Sequence, residues 1–163
     1  EQLSDLVVEL VDLAAYRSVE EPIAQMRIDE LFEAVAGRAE RRSGRKIDVE
    51  SEAAVLSGRP GAIERALSNL VANAVKWGPP ESPIKIVQKG GRVLVRDYGP
   101  GIDEADLPLI FDRFYRATSA RTMPGSGLGL AIVRQIVEDH GGTVFADNAS
   151  EGGAAVGFEI PPS

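Results

Sequence analysis

Leu67 to Trp77, LSNLVANAVKW, places two asparagines four residues apart inside an otherwise apolar helical pattern. At about 100° per residue, Asn69, Asn73, Lys76 and Trp77 fall on one side of that helix, and Ile63, Leu67, Leu70, Val71 and Ala74 on another. One helix therefore offers a face to a core and a second face to chemistry. The alternative is that the asparagines only cap or bond to backbone. Mid-helix Asn has poor propensity and belongs at caps, which weakens that alternative without removing it.

The chain on either side gives this helix sharp limits. Ser57-Gly-Arg-Pro60 leads into it, with Pro60 suited to a first helical turn. Gly78-Pro-Pro-Glu-Ser-Pro83 cannot continue it. Two strands follow, Ile84 to Lys89 and Val93 to Asp97, joined through Gly90-Gly91 as a hairpin. Upstream, Lys46 to Glu50 alternates like a half-buried strand and Ala54 to Leu56 is a second short one. Asp29 sits where an N-cap would, before Leu31, Phe32, Val35 and Ala36 at helical spacing, and Gly44 closes that helix after a basic last turn.

Ile23 to Met26 reads as a short strand, and Arg17 to Gln25 as the linker before it. Leu3, Leu6, Val7, Leu10, Leu13 and Ala14 make residues 2–16 an amphipathic helix whose stripe needs a partner, in the core or in a truncated bundle. Downstream, Leu107 to Phe114 predicts a short helix and Arg116 to Pro124 a loop. A further helix runs from near Gly127 to His140, stopped by Gly141-Gly142. Strands at Thr143 to Asp147 and Ala154 to Ile160 complete the chain. Mixed helices and hairpin-linked strands predict an α+β domain built as a two-layer α/β sandwich, with a mixed sheet carrying helices on one face.

Length and composition bound the function. The 163 residues, 44% of them hydrophobic, suffice for one domain with a real core. No apolar run reaches the ~20 residues that span a bilayer, and the acidic start is unlike a secretory signal. A beginning at Glu1 suggests an excised piece of a longer protein. Without cysteine there is no disulfide or thiolate metal site. A net charge of −7 argues against broad nucleic-acid binding, so an anionic ligand must find local positive charge. Arg113, Arg116 and Arg121 supply it between Asp112 and Met123, and Pro124 holds Met123 extended.

Three glycine clusters accompany the asparagine helix: Asp97-Tyr98-Gly99-Pro100-Gly101, Gly125-Ser126-Gly127-Leu128-Gly129 and Gly152-Gly153. Singly, each reads as a turn. Together with Asn69 and Asn73 they suggest a phosphate site, because glycines at a helix start let backbone N–H groups approach phosphates. Neither a Walker A lysine nor GxGxxG is present. His140, in EDHGG, reads as a helix-end cap, where positive charge is favourable, rather than as a phosphoacceptor.

These residues resemble the ATP-binding catalytic domain of two-component sensor histidine kinases, in the superfamily of gyrase, Hsp90 and MutL with its Bergerat fold. Asn69 to Trp77 resembles the N box, Asp97 to Gly101 the G1 box, Phe111 to Phe114 the F box, and Gly125 to Gly129 the G2 box. FYRATSARTMPGSGLGLAIV is similar to the MprB-type envelope-stress kinases of actinobacteria. The resemblance implies ATP and Mg²⁺ as cofactors. Asn73 would be the metal ligand, its amide oxygen a hard donor, and Asp97 the acceptor for the adenine amine. Lys76 and Arg116 would face the phosphates. Trp77, Gly99, Gly101, Ile102 and Phe114 would line the nucleoside site, and Gly125, Ser126, Gly127, Leu128, Gly129 and Leu130 the lid over the triphosphate.

At Asn69 the related ATPases carry a general-base Glu. An amide cannot take that proton, so the resemblance implies slow hydrolysis and transfer to another acceptor, with Asn69, Lys76 and Arg116 as the catalytic set. Glu64, five residues upstream, lies about 140° from that position and does not replace it.

Residues 1–16 would be the end of a dimerisation and histidine-phosphotransfer helix, 17–26 the linker and first strand, and 27–163 the catalytic domain. The acceptor histidine would precede this chain. Implied partners are that dimerisation domain, a response regulator and a second copy in the full-length homodimer, with the catalytic domain in the cytoplasm and the parent protein anchored in the membrane. Rival readings are another ATPase or protein kinase of the superfamily, and a nucleotide-dependent scaffold without kinase activity. The sequence also departs from the family: Arg59 replaces an acid that caps the N-box helix, worth ~1 kcal/mol, and EGGAAVGFEIP lacks the Thr expected after its glycines.

Overall fold

The computed structural model describes residues 21–112, 129–149 and 152–161. The helix expected over 2–16 and the stretch 113–128 lie outside them. In chain order the elements are β1 (Ala24–Arg27), α1 (Ile28–Ser43), β2 (Ile47–Glu50), β3 (Val55–Gly58), α2 (Pro60–Trp77), β4 (Ile84–Lys89), β5 (Arg92–Arg96), a 3-10 turn (Leu107–Leu109), α3 (Gly129–Asp139), β6 (Thr143–Asn148) and β7 (Ala154–Glu159). Strands β1 and β3 pair as a small antiparallel sheet, and the other five form a sheet in the order β2-β4-β5-β7-β6. Only β2 and β4 run parallel there, so the sheet is mixed.

Strand periodicity decides which sheet face is covered. Ile84 and Ile86 of β4, Val93 and Val95 of β5, and Val156 and Phe158 of β7 are all buried on one side. Against them lie Ile28, Phe32 and Val35 of α1, Ile63, Leu67, Leu70 and Val71 of α2, and Ile132, Val133, Ile136 and Val137 of α3. The expected two-layer sandwich is thus the fold adopted, with its helices on one face.

Element ends follow local chemistry. At Gly44 the backbone turns left-handed, with φ 72°, and its N–H returns to Glu40 O at 2.9 Å. Asp29 is not the cap of α1. The helix begins at Ile28, two residues before the start that cap would set, with Arg27 extended before it. Asp29 instead accepts from Ala54 N at 3.2 Å and from Arg27 Nη2 at 2.8 Å, and the Arg27 guanidinium holds its carboxyl down at about 2. Of the short helix expected over Leu107 to Phe114, the described residues form a 3-10 turn over Leu107–Leu109, tighter than an α-helix. Pro108 has no N–H to give, and Leu109 N reaches Asp106 O at 2.8 Å in an i to i−3 pattern.

Helix α2 has its ends fastened from outside. Arg59 makes no side-chain cap, as its identity implied. The missing cap is supplied by Glu21, whose carboxylate accepts from Gly61 N at 2.7 Å and Ala62 N at 3.0 Å. Arg59 Nε in turn donates to Glu21 O at 2.8 Å. At the other end the buried Arg45 donates to the carbonyls of Val75 at 3.2 Å, Gly78 at 3.4 Å and Ser82 at 2.9 Å. A negative group at the N-terminus and a positive one at the C-terminus both oppose the helix dipole.

Candidate functional site

On α2 the two faces separate as the spacing implied. Ile63, Leu67, Leu70, Val71 and Ala74 are buried, whereas Asn69, Asn73 and Lys76 are half-buried. The side chain of Trp77 lies outside the described residues. Asn69 Nδ2 donates to Gly129 O at 3.2 Å, which ties α2 to the first residue of α3. Part of the bland alternative therefore holds: this mid-helix asparagine does bond to backbone, though of another segment. Glu64 is engaged by Arg38.

Asp97 continues the inward line of Val93 and Val95 one residue past β5, and is only 3% exposed. Its N–H extends the ladder to Ala154 O at 3.0 Å. Its Oδ1 accepts from Gly99 N at 2.8 Å and Ala154 N at 3.3 Å. Among the described residues Oδ2 accepts from none. A methyl added at Gly78 would lie 3.4 Å from Asp97 Cβ, so the carboxylate sits against the C-terminal end of α2. A buried acceptor with one oxygen engaged and the other open is what an N–H donor on a ligand needs.

The chain after Asp97 turns at Gly101, whose φ of 85° is the left-handed region that favours glycine. The half-buried Ile102 packs against the edge of the core. It is gripped by Asn148, whose Oδ1 accepts from Ile102 N and whose Nδ2 donates to Ile102 O, each at 2.7 Å.

Asn148, Gly153 and Arg45 were missed in the sequence. Gly153 was read only as part of a hairpin turn, which it is, but a side chain there would also overlap the Asp97 carbonyl oxygen. Arg45 lies just past the basic helix end that Gly44 closes. Nothing in its neighbours signals that its partners are carbonyls 30 residues and more away.

The expectations for Phe114, Arg116, Gly125, Ser126, Gly127 and Leu128 fall outside the described residues. Gly129 and Leu130 open α3, with Leu130 packed on the core. His140 joins two helices: Nδ1 donates to Ile136 O at 2.7 Å, and Nε2 accepts from Arg59 N at 3.0 Å. Accepting at Nε2 requires the neutral ring. The capping role stands, without the positive charge expected to favour it.

A five-stranded mixed sheet covered by three helices, with a buried carboxylate beside the end of the asparagine helix, defines the two-layer sandwich class of ATP-binding domains. Residues 58–163 match the family described as histidine kinase-, DNA gyrase B- and HSP90-like ATPase. The chain is 38% identical over 98% of its length to the histidine-protein kinase/phosphatase MprB of Mycobacterium leprae, covering 32% of that protein. To the MprB of Mycobacterium sp. (strain KMS) it is 41% identical over 94% of its length, covering 31%. It therefore spans about a third of the curated relatives it matches.

Among solved structures, a mycobacterial sensor histidine kinase MprB superposes with TM-score 0.78 at 34% identity, over 85% of this chain and 98% of that one. Full-length ShkA in complex with AMPPNP superposes with TM-score 0.80 at 26% identity, over 99% and 36%. The chain belongs to the histidine kinase-, DNA gyrase B- and HSP90-like ATPase family, and is a catalytic domain of the sensor histidine kinase kind.

Proposed function

We propose that this domain binds Mg·ATP and delivers the γ-phosphoryl group to a histidine on the dimerisation domain of its own parent protein, for relay to an aspartate of a response regulator. The observation that carries the reading is Asp97, buried, with Oδ1 held by two backbone N–H groups and Oδ2 accepting from none of the described residues. That oxygen is suited to the exocyclic amine of adenine. Guanine presents a carbonyl there, and an unmatched buried acceptor costs about 1–3 kcal/mol, so ATP is preferred to GTP by roughly 5- to 150-fold.

The donor set fits the metal. Asn73, a half-buried residue, carries an amide oxygen, and among the described residues no three His, Cys, Asp or Glu side chains converge. A hard cation held by one amide, waters and the nucleotide's own phosphate oxygens is the usual arrangement for Mg²⁺. When bound, the ion would be held by Asn73 and would supply neutralisation of the phosphate charge. Lys76 and Arg116 complement it, and Asn69 holds the start of α3, so the site's work is positioning and charge stabilisation. The acceptor imidazole forms a new N–P bond as the bond from Pγ to the bridging oxygen breaks, and ADP leaves. With an amide at Asn69 no side chain there takes a proton from water. The domain works inside the cell, where ATP is, on a parent protein anchored in the membrane.

The test mixes this chain with the separately made dimerisation domain and Mg·ATP, and reads acid-labile, base-stable phosphate on the partner. Transfer is expected, and Asn73→Ala is expected to abolish its Mg²⁺ dependence. ATP binding without transfer would replace the kinase with a nucleotide-dependent scaffold, and full activity in Asn73→Ala would overturn the metal assignment.

A further inference from the structure

We propose that Asn148 is a positioning residue for the nucleotide, setting how the Gly99–Ile102 turn meets the base. The inference rests on the reading of Asp97 as the adenine acceptor. Asn148 closes β6, directly across from Ala154 in the β6–β7 register. Ala154 N donates to Asp97 Oδ1 at 3.3 Å. One hairpin end thus braces both the buried carboxylate and the turn that follows it.

The grip on the turn is two-sided. Asn148 Oδ1 accepts from Ile102 N and Asn148 Nδ2 donates to Ile102 O, each at 2.7 Å. A carboxamide in this arrangement replaces a strand neighbour, satisfying both main-chain groups of one residue. Asp keeps the acceptor but loses the donor and sets a carboxylate against the Ile102 carbonyl, while Ser is too short to serve both groups. Among the described residues these are the hydrogen bonds that tie residues 100–102 to the rest of the fold, beside the packing of Ile102 on the core.

The same contact leaves no room at Gly101. A Cβ there would come within 2.7 Å of Asn148 Oδ1. Gly101 is therefore glycine for two reasons, its left-handed backbone and the carboxamide beside it. Tight side-chain support of a turn from a neighbouring hairpin is how a fold pre-organises a loop for a ligand, and it lowers the ordering cost of binding.

The test measures calorimetric affinity for Mg·ATP and Mg·ADP, and transfer at saturating ATP to the added dimerisation domain. Asn148→Ala is expected to weaken both nucleotides by the same factor, about tenfold for two lost hydrogen bonds, with the saturated transfer rate kept. Asn148→Asp, nearly isosteric, is expected to weaken binding as much, and serves if the alanine variant does not fold. In the Asn148→Ala background, Gly101→Ala should cost less than alone, because its obstacle has gone. Unchanged affinity in both Asn148 variants would overturn the proposal, as would a loss confined to ATP or to the saturated rate. Should the unsubstituted chain bind neither nucleotide, the adenine reading of Asp97 falls and this proposal with it, whereas tight binding by both chain and variants sinks this proposal alone.

Discussion

At the scale of single residues, a carboxylate buried as deeply as Asp97 loses its hydration, and the fold offsets that with N–H donors from Gly99 and Ala154 on one oxygen. The geometry depends on a residue with no side chain. Gly152 and Gly153 both have left-handed backbones, with φ 98° and 85°, but a Cβ at Gly152 meets open space whereas one at Gly153 meets the Asp97 carbonyl. Ala at either position carries the strain of its dihedral, about 1 kcal/mol. Gly153→Ala adds overpacking, and is expected to destabilise by roughly 2–3 kcal/mol more than Gly152→Ala. Equal urea midpoints for the two would contradict the geometry. Asp97, Gly101 and Asn73 stood out in the sequence because their motifs combine in order. Asn148 was not, since an asparagine before a glycine turn reads as turn chemistry in any sequence.

At the scale of elements, α2 shows what composition reveals and what it hides. Pro60 and the Gly78-Pro79-Pro80 run set its limits, and apolar spacing set its buried face, because both signals are local. Its cap was not legible. Arg59 correctly implied that the ordinary capping side chain is missing, but the replacement comes from Glu21, 40 residues away from Gly61. Glu21→Ala should lower stability by about 1 kcal/mol, the usual worth of an N-cap, read as a shifted urea midpoint with an unchanged slope. Glu21→Gln keeps an acceptor and should lose less. No shift in either variant would mean that water satisfies Gly61 and Ala62 equally well.

Across the whole molecule, the sandwich was readable because strand alternation and helical spacing agree on one covered face. The 3-10 turn after Asp106 and the first turn of α1 were less so, since single bonds to neighbouring segments decide them. Acid stability gives a global check. The Asp29 carboxyl sits at about 2 in the fold, below its ordinary value of 3.8, so the folded protein binds fewer protons than the unfolded chain between those values. Its stabilisation is complete above about pH 4 and is lost as pH falls toward 2. Asn at position 29 should therefore lower stability at neutral pH, with the gap from the unsubstituted protein closing over that range in urea titrations. A gap independent of pH would show that Arg27 is not the cause.

Glu21 and Arg45 together bear on the order in which the protein assembles. Helix 60–77 carries both asparagines, yet its end charges arrive from residues that precede it in the chain, one before β1 and one before β2. The helix is electrically complete only after those segments have docked. The first cost of drawing the segment at Glu21 away falls on the helix's opening turn, two turns before Asn69.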